Sequence, residues 1–244
     1  MLGLGNSLIG GAALETTPAD ISGLQIWLKN ATGVAVGQWD DQSGFGRHAV
    51  NTDADEQAAV SDGGLDFSGA DPEDHYIFTE DTTSHLDIGG SNAFTIAAVI
   101  TREGGAADRN AIIGGDGNAS HVTIWSEEQI NINTTGTGGA TSTFSFSTDT
   151  WVVNTEFLIT ITKDTSGNFK FYKNGTEVSP SSTTNPTNTG ATFVVKFLGA
   201  RNPGTTGGSY TFDGKIKEFA VYNAQLTGGN LTSLNSYLTG KFGL

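Results

Sequence analysis

At 244 residues the chain has room for a large all-β domain whose core needs no staple, and its lack of cysteine excludes a disulfide framework, a thiolate metal site and a cysteine nucleophile. A net charge of −14, from 26 acidic and 12 basic residues, repels a phosphate backbone or an anionic membrane and argues against nucleic-acid binding. No apolar run approaches the roughly 20 residues of a membrane helix, so no membrane insertion is expected.

The 34 glycines, 5 prolines and many Thr, Ser and Asn residues separate short apolar runs, the pattern of a β-sandwich. Met1–Pro18 is Gly-rich and apolar and reads as an arm that a partner chain or a groove covers; the domain is expected over residues 19–244. The leader lacks a positive n-region, the first basic residue being Lys29, so no export signal is expected. Strands begin at Ile21–Lys29 and continue through Val34–Trp39, Gly64–Phe67, Tyr76–Thr79 and Ala93–Thr101, where Phe94, Ile96, Ala98 and Ile100 share a face. Ile112–Gly114, Val122–Trp125 and Gln129–Asn133 are shorter strands. Thr135–Thr143 and Ser179–Gly190 are expected to be exposed loops. Between them Phe157, Ile159 and Ile161 alternate with Leu158, Thr160 and Thr162, and Phe169 and Phe171 alternate on the way back, with Asn174–Gly175 as a type I′ turn. Phe193, Val195 and Phe197 make another strand. The chain closes with a half-buried strand over Thr211–Tyr222 and a helix whose Leu231, Leu234 and Leu238 lie on one face.

Few residues offer chemistry. His48, His75, His85 and His121 lack metal-ligand spacing and are expected at the surface or in loops. Glu127 and Glu128 are adjacent, so a strand would point them to opposite faces. Asp71, Glu73 and Asp74 form the best cation loop by composition, although a solvated acidic loop is the commoner reading of such a run; no metal site is assigned. No nucleophile elbow or phosphate loop occurs. Sugar rings stack on exposed aromatics, and Trp125, Trp151, Tyr210 and Tyr222 are the candidates for glycan binding, each weighed against core packing.

Several segments resemble, in order, the laminin G-like branch of the concanavalin A-like lectin/glucanase superfamily. They are Trp39–Gly46 (WDDQSGFG), Leu65–Gly69 with His75–Ile77, Phe94–Ile100, Phe169–Gly175, and the closing stretch ending Tyr237–Gly243 (YLTGKFG). The resemblance implies a jelly-roll sandwich of two antiparallel sheets with a short C-terminal helix. Relatives place a calcium-binding Asp where this chain has Lys217, and an ammonium cannot ligate Ca²⁺, so no cofactor is expected there. Thr227 with Asn230 falls short of a capping box, and Gly228 and Gly229 weaken the first helical turn, so the helix should depend on docking. Glucanases of the superfamily use E-x-D-x-x-E carboxylates on one strand face, about 5–5.5 Å apart, which this sequence lacks; no catalytic residue is assigned and the chain is expected not to be an enzyme. The leader MLGLGNSL resembles the opening of tailed-phage structural proteins, marine ones especially. That resemblance implies a virion surface protein, made in the host cytoplasm, serving as capsid decoration, head fibre or tail-associated module. Capsid or tail proteins would be partners through Met1–Pro18, with cell-surface glycans and self-association left open. The alternative is a carbohydrate-binding, lectin-like module of a bacterial or viral surface system.

Overall fold

A computed structural model of the chain describes residues 16–68, 74–79, 86–87, 93–104, 109–115, 120–135, 139–189, 193–203 and 210–244. Most of the expected arm, together with Asp71, Glu73 and His85, lies outside the described residues. Among those described, two antiparallel sheets of eight and ten strands carry the fold, with one helix, Gly228–Phe242, at the end. This is the expected all-β jelly-roll sandwich.

The eight-stranded sheet runs Thr176–Val178, Phe169–Lys173, Glu156–Lys163, Phe94–Arg102, Asp213–Tyr222, Gly64–Ser68 and Ala59–Ser61, with Leu24–Leu28 also pairing with Asp213–Tyr222. The ten-stranded sheet runs Ser182–Thr184, Thr141–Ser145, Gln129–Asn133, His121–Ser126, Asn110–Gly114, Phe197–Leu198, Tyr76–Phe78, Ala49–Val50, Gln38–Trp39 and Val34–Ala35. Alternation along each strand sorts side chains between faces. Ile96, Ala98 and Ile100 join Phe157, Ile159, Ile161, Phe219 and Val221 between the sheets, where they meet Val122, Ile124, Ile130 and Ile132 of the other sheet.

A second core explains why the central strands are apolar on both faces. Ala97, Val99, Leu158, Ala220 and Tyr222 point the other way and are covered by Leu234, Tyr237 and Leu238 of the helix. Burying each of these large helix side chains stabilises by about 1.5–3 kcal/mol, which supports a helix whose Thr227 makes no side-chain cap bond. Leu231 is only partly buried at this face. Gly243 ends the helix at φ 70°, and Lys241 sits in the last turn, where a cation suits the helix dipole.

Three local readings need correction. Alternation within Ile21–Lys29 puts Leu24, Ile26 and Leu28 on one face, but a register shift between Leu24 and Ile26 sends Leu24 to the helix side. Within the expected loop Thr135–Thr143, the strand Thr141–Ser145 begins, pairing along Gln129–Asn133. Ser182–Thr184, inside the second expected loop, adds to that strand as an exposed edge. Strands as rich in Ser and Thr as these carry almost no apolar alternation, so periodicity misses them. The Asn174–Gly175 turn has φ of 49° and 77°, positive at both positions as type I′ requires.

Two buried carboxylates tie the entry of the chain to its close. Asp41, in the WDDQSGFG loop, accepts backbone N–H bonds from Trp27 (2.8 Å), Ser43 (2.9 Å) and Arg47 (3.1 Å), and the Ser43 hydroxyl at 2.6 Å. Glu218, its side chain wholly buried, accepts the Trp27 indole N–H at 2.8 Å and pairs with Lys241 of the helix at 2.5 Å. Strand, loop and helix are thus held around Trp27.

Candidate functional site

The aromatic candidates divide cleanly by burial. Trp151 has no exposed surface; its ring packs against Phe146 (5.2 Å between centroids) and Phe157 (5.7 Å) in the main core. Tyr222 is equally buried, donates its hydroxyl to the Pro18 carbonyl at 3.1 Å, and burial pushes its phenol far above the ordinary range. Both are corrected from ligand-binding candidates to core residues, because a sugar cannot reach them. Trp125 and Tyr210 remain partly exposed, and the fold brings them together edge to face at 5.6 Å.

Their meeting depends on two elements far apart in sequence. Trp125 stands on His121–Ser126, whose Ile124 pairs with Asn110, so Arg109 comes beside Trp125. Asn110 accepts the Asp213 backbone N–H at 2.8 Å through its side chain and anchors the chain that follows Tyr210. The ribbon Ala200–Arg201 with Tyr210–Thr211 folds against Asn110–Gly114, pairing Arg201 with Tyr210. Two glycines permit this approach. A Cβ on Gly114 would lie 2.7 Å from the Ala200 carbonyl, and Gly199 adopts φ +76° where a Cβ would strike the Phe67 ring at 2.2 Å.

The result is a layered cluster of rings and guanidinium groups. Arg109 lies 3.9 Å from the Trp125 ring centroid and 4.6 Å from that of Tyr210, and donates to the Tyr210 hydroxyl. Arg201 sits 4.8 Å from the Tyr210 centroid. Burial holds the Arg201 guanidinium below the usual arginine range; the Tyr210 interaction opposes this and the neighbouring Arg109 charge adds to it. Each such contact contributes about 0.5–2 kcal/mol, rising with desolvation. Two residues before Trp125 on the strand stands Thr123, with Asn131 directly opposite it, and a register shift follows between Ile124 and Ser126. Thr123 Oγ1 and Asn131 Oδ1 are buried and lack a hydrogen-bond partner among the described residues. Neither arginine, nor Thr123, nor Asn131 was legible as a site residue, because only the cross-strand pairing unites them.

Elsewhere the chemistry is occupied. Asp74 is buried and accepts the Ser68 N–H at 2.7 Å, while Asp71 and Glu73 lie outside the described residues. Among the described residues no group of three or more His, Cys, Asp or Glu could hold a metal. Lys217 pairs with Glu156 at 2.7 Å. Burial, then the charge of Glu103, raises the Asp66 carboxyl above its ordinary range. Contrary to the surface expectation, His75 and His121 are buried; His75 lies edge-on to Phe197 at 5.7 Å. Glu127 is engaged by the Val153 N–H at 3.1 Å. A polar groove of about 310 Å³ lies on the far side of the molecule's eight-stranded sheet, between the helix and the Asn174–Gly175 hairpin, lined by Tyr172, Thr176, Asn235 and Thr239.

Comparison with known proteins extends the resemblance read from the sequence. No curated protein sequence matches the chain. Among solved structures, the binding domain of botulinum neurotoxin serotype C1 superposes with a TM-score of 0.61 at 15% identity, over 91% of this chain and 53% of that one. A botulinum neurotoxin type C structure concerned with two ganglioside molecules gives 0.60 at 17% identity, over 90% of this chain and 52% of the other. Trypanosoma rangeli sialidase gives 0.58 at 16% identity, over 90% of this chain and 33% of the sialidase. The chain thus spans about a third to a half of these structures, and at such identities the likeness is one of fold. The model of the Concanavalin A-like lectin/glucanases superfamily, laminin G type, matches residues 71–231, well over half of the sequence, and the chain belongs to that family.

Proposed function

We propose that the chain is a non-enzymatic recognition module that binds glycans at the Arg109–Trp125–Tyr210 cluster. The observation that carries this reading is the convergence of two partly exposed rings and an exposed guanidinium. Rings contribute apolar contact with a sugar's C–H face, and guanidinium N–H groups bond its hydroxyls. One structural neighbour, botulinum neurotoxin type C, depends for cell entry on interaction with two ganglioside molecules, and that supports a glycan-binding reading of a chain that shares its fold over about half of that structure. Trp125→Ala on a glycan array tests it. The unaltered chain should bind a restricted set of glycans, and the substitution should weaken that binding by about tenfold, or 1.4 kcal/mol. An array blank for both proteins, or one unchanged by the substitution, would contradict the assignment.

We further propose, on the phage-like leader MLGLGNSL, that the module works on a virion surface after synthesis in the host cytoplasm, attached to capsid or tail proteins through Met1–Pro18. Deleting Met1–Ala13 should leave a folded domain that no longer joins purified particles; unchanged occupancy would remove the arm from the account.

A further inference from the structure

The charges within the cluster narrow the class of sugar. We propose that this face selects acidic glycans whose rings carry a carboxylate, with Arg109 as the anion-binding residue; the proposal rests on the glycan-binding reading and deepens it.

Charge distribution is the first argument. In a chain of net charge −14, a positive surface must be concentrated to attract an anion. The arginines are Arg47, Arg102, Arg109 and Arg201. Arg102 is buried in the core and donates to the Trp151 carbonyl at 2.7 Å, and Arg47 lies over Phe45 and bonds Gln25. The other two converge on the faces of one tyrosine, at 4.6 and 4.8 Å. Two guanidinium groups so placed repel one another, and a bound anion relieves that repulsion.

Orientation is the second. The Arg109 Cζ rests 3.9 Å from the indole centroid, a cation–π contact that leaves the guanidinium's N–H edge for hydrogen bonds. One nitrogen of that edge serves the Tyr210 hydroxyl. The planar fork that remains matches a planar carboxylate. Among the described residues no carboxylate forms an ion pair with Arg109, and Glu127, just beyond Trp125 on the chain, accepts the Val153 N–H instead. The exposed guanidinium beside two partly exposed rings offers a ligand charged donors next to apolar surface, which suits a uronate better than a neutral ring.

Exposure is the third. Thr123 and Asn131 of the neighbouring strands are buried, whereas Arg109 is exposed, so the guanidinium is the polar group that a ligand meets at this face.

The test is titration calorimetry of the full chain with polygalacturonate and alginate, with their methyl-esterified forms, which keep the ring and remove the charge, and with dextran sulfate. We expect binding to at least one uronate, about tenfold weaker binding to its ester, and a similar loss in Arg109→Gln. Arg109→Lys should recover only part, since an ammonium lacks the fork. Thermal melting checks that the variants fold, and if they do not, the acid-to-ester ratio of the unaltered chain still decides. Equal binding of acid and ester would overturn the selection while leaving glycan binding intact. Tighter binding to dextran sulfate than to any uronate would overturn the carboxylate assignment. Binding to none of the probes would overturn the proposal together with the reading beneath it.

Discussion

Lys217 and Lys241 sit within reach of the same closing strand yet carry different burdens. Lys241 meets Glu218, whose carboxylate is buried and also holds the Trp27 indole; Lys217 meets Glu156 where both side chains retain some solvent contact. Removing a cation from a buried carboxylate leaves a desolvated charge, whereas a surface pair contributes little. Lys241→Met should therefore lower unfolding free energy by about 2–3 kcal/mol and Lys217→Met by about 1 kcal/mol or less, measured by urea denaturation. Equal losses would mean that Glu218 is not the latch its contacts describe. At this scale the sequence was readable only in part. The resemblance alone set Lys217 against a relative's calcium-binding Asp, and its partner Glu156, some sixty residues earlier, became visible only through the pairing of its strand with Phe94–Arg102.

Strands with alternating large apolar residues were legible because burial imposes a period of two, and Phe94–Arg102, Glu156–Lys163 and Asp213–Tyr222 all fall where that pattern put them. Edges and bulges escaped it. Ser182–Thr184 has no apolar face to read, and the shift at Leu24 changes the face of a residue without changing the sequence pattern around it. The closing strand and helix are held by packing and by the Glu218–Lys241 pair, which leads us to propose that this end of the fold stands without calcium. Chelation with excess EDTA should leave the melting midpoint unchanged. A fall of several degrees, restored by added Ca²⁺, would contradict that.

Across the molecule the two sheets have divided labour. The eight-stranded sheet buries both faces, one against its partner and one against the helix, and carries the second core. The ten-stranded sheet keeps a polar face, and there Arg109, Trp125, Tyr210 and Arg201 meet from segments nearly a hundred residues apart. Trp125 and Tyr210 could be nominated from composition, but so could Trp151 and Tyr222, and nothing short of the fold separates surface rings from core rings. Four tryptophans provide the readout. In a chain with ¹⁵N-labelled indoles, Trp27 is fixed by Glu218, Trp39 donates to the Lys29 carbonyl at 3.1 Å, and Trp151 is enclosed by phenylalanines. Titrating with an acidic oligosaccharide should move the Trp125 indole resonance saturably and leave the other three nearly still. A saturable shift confined to a different tryptophan, or no shift at any of them, would contradict the account.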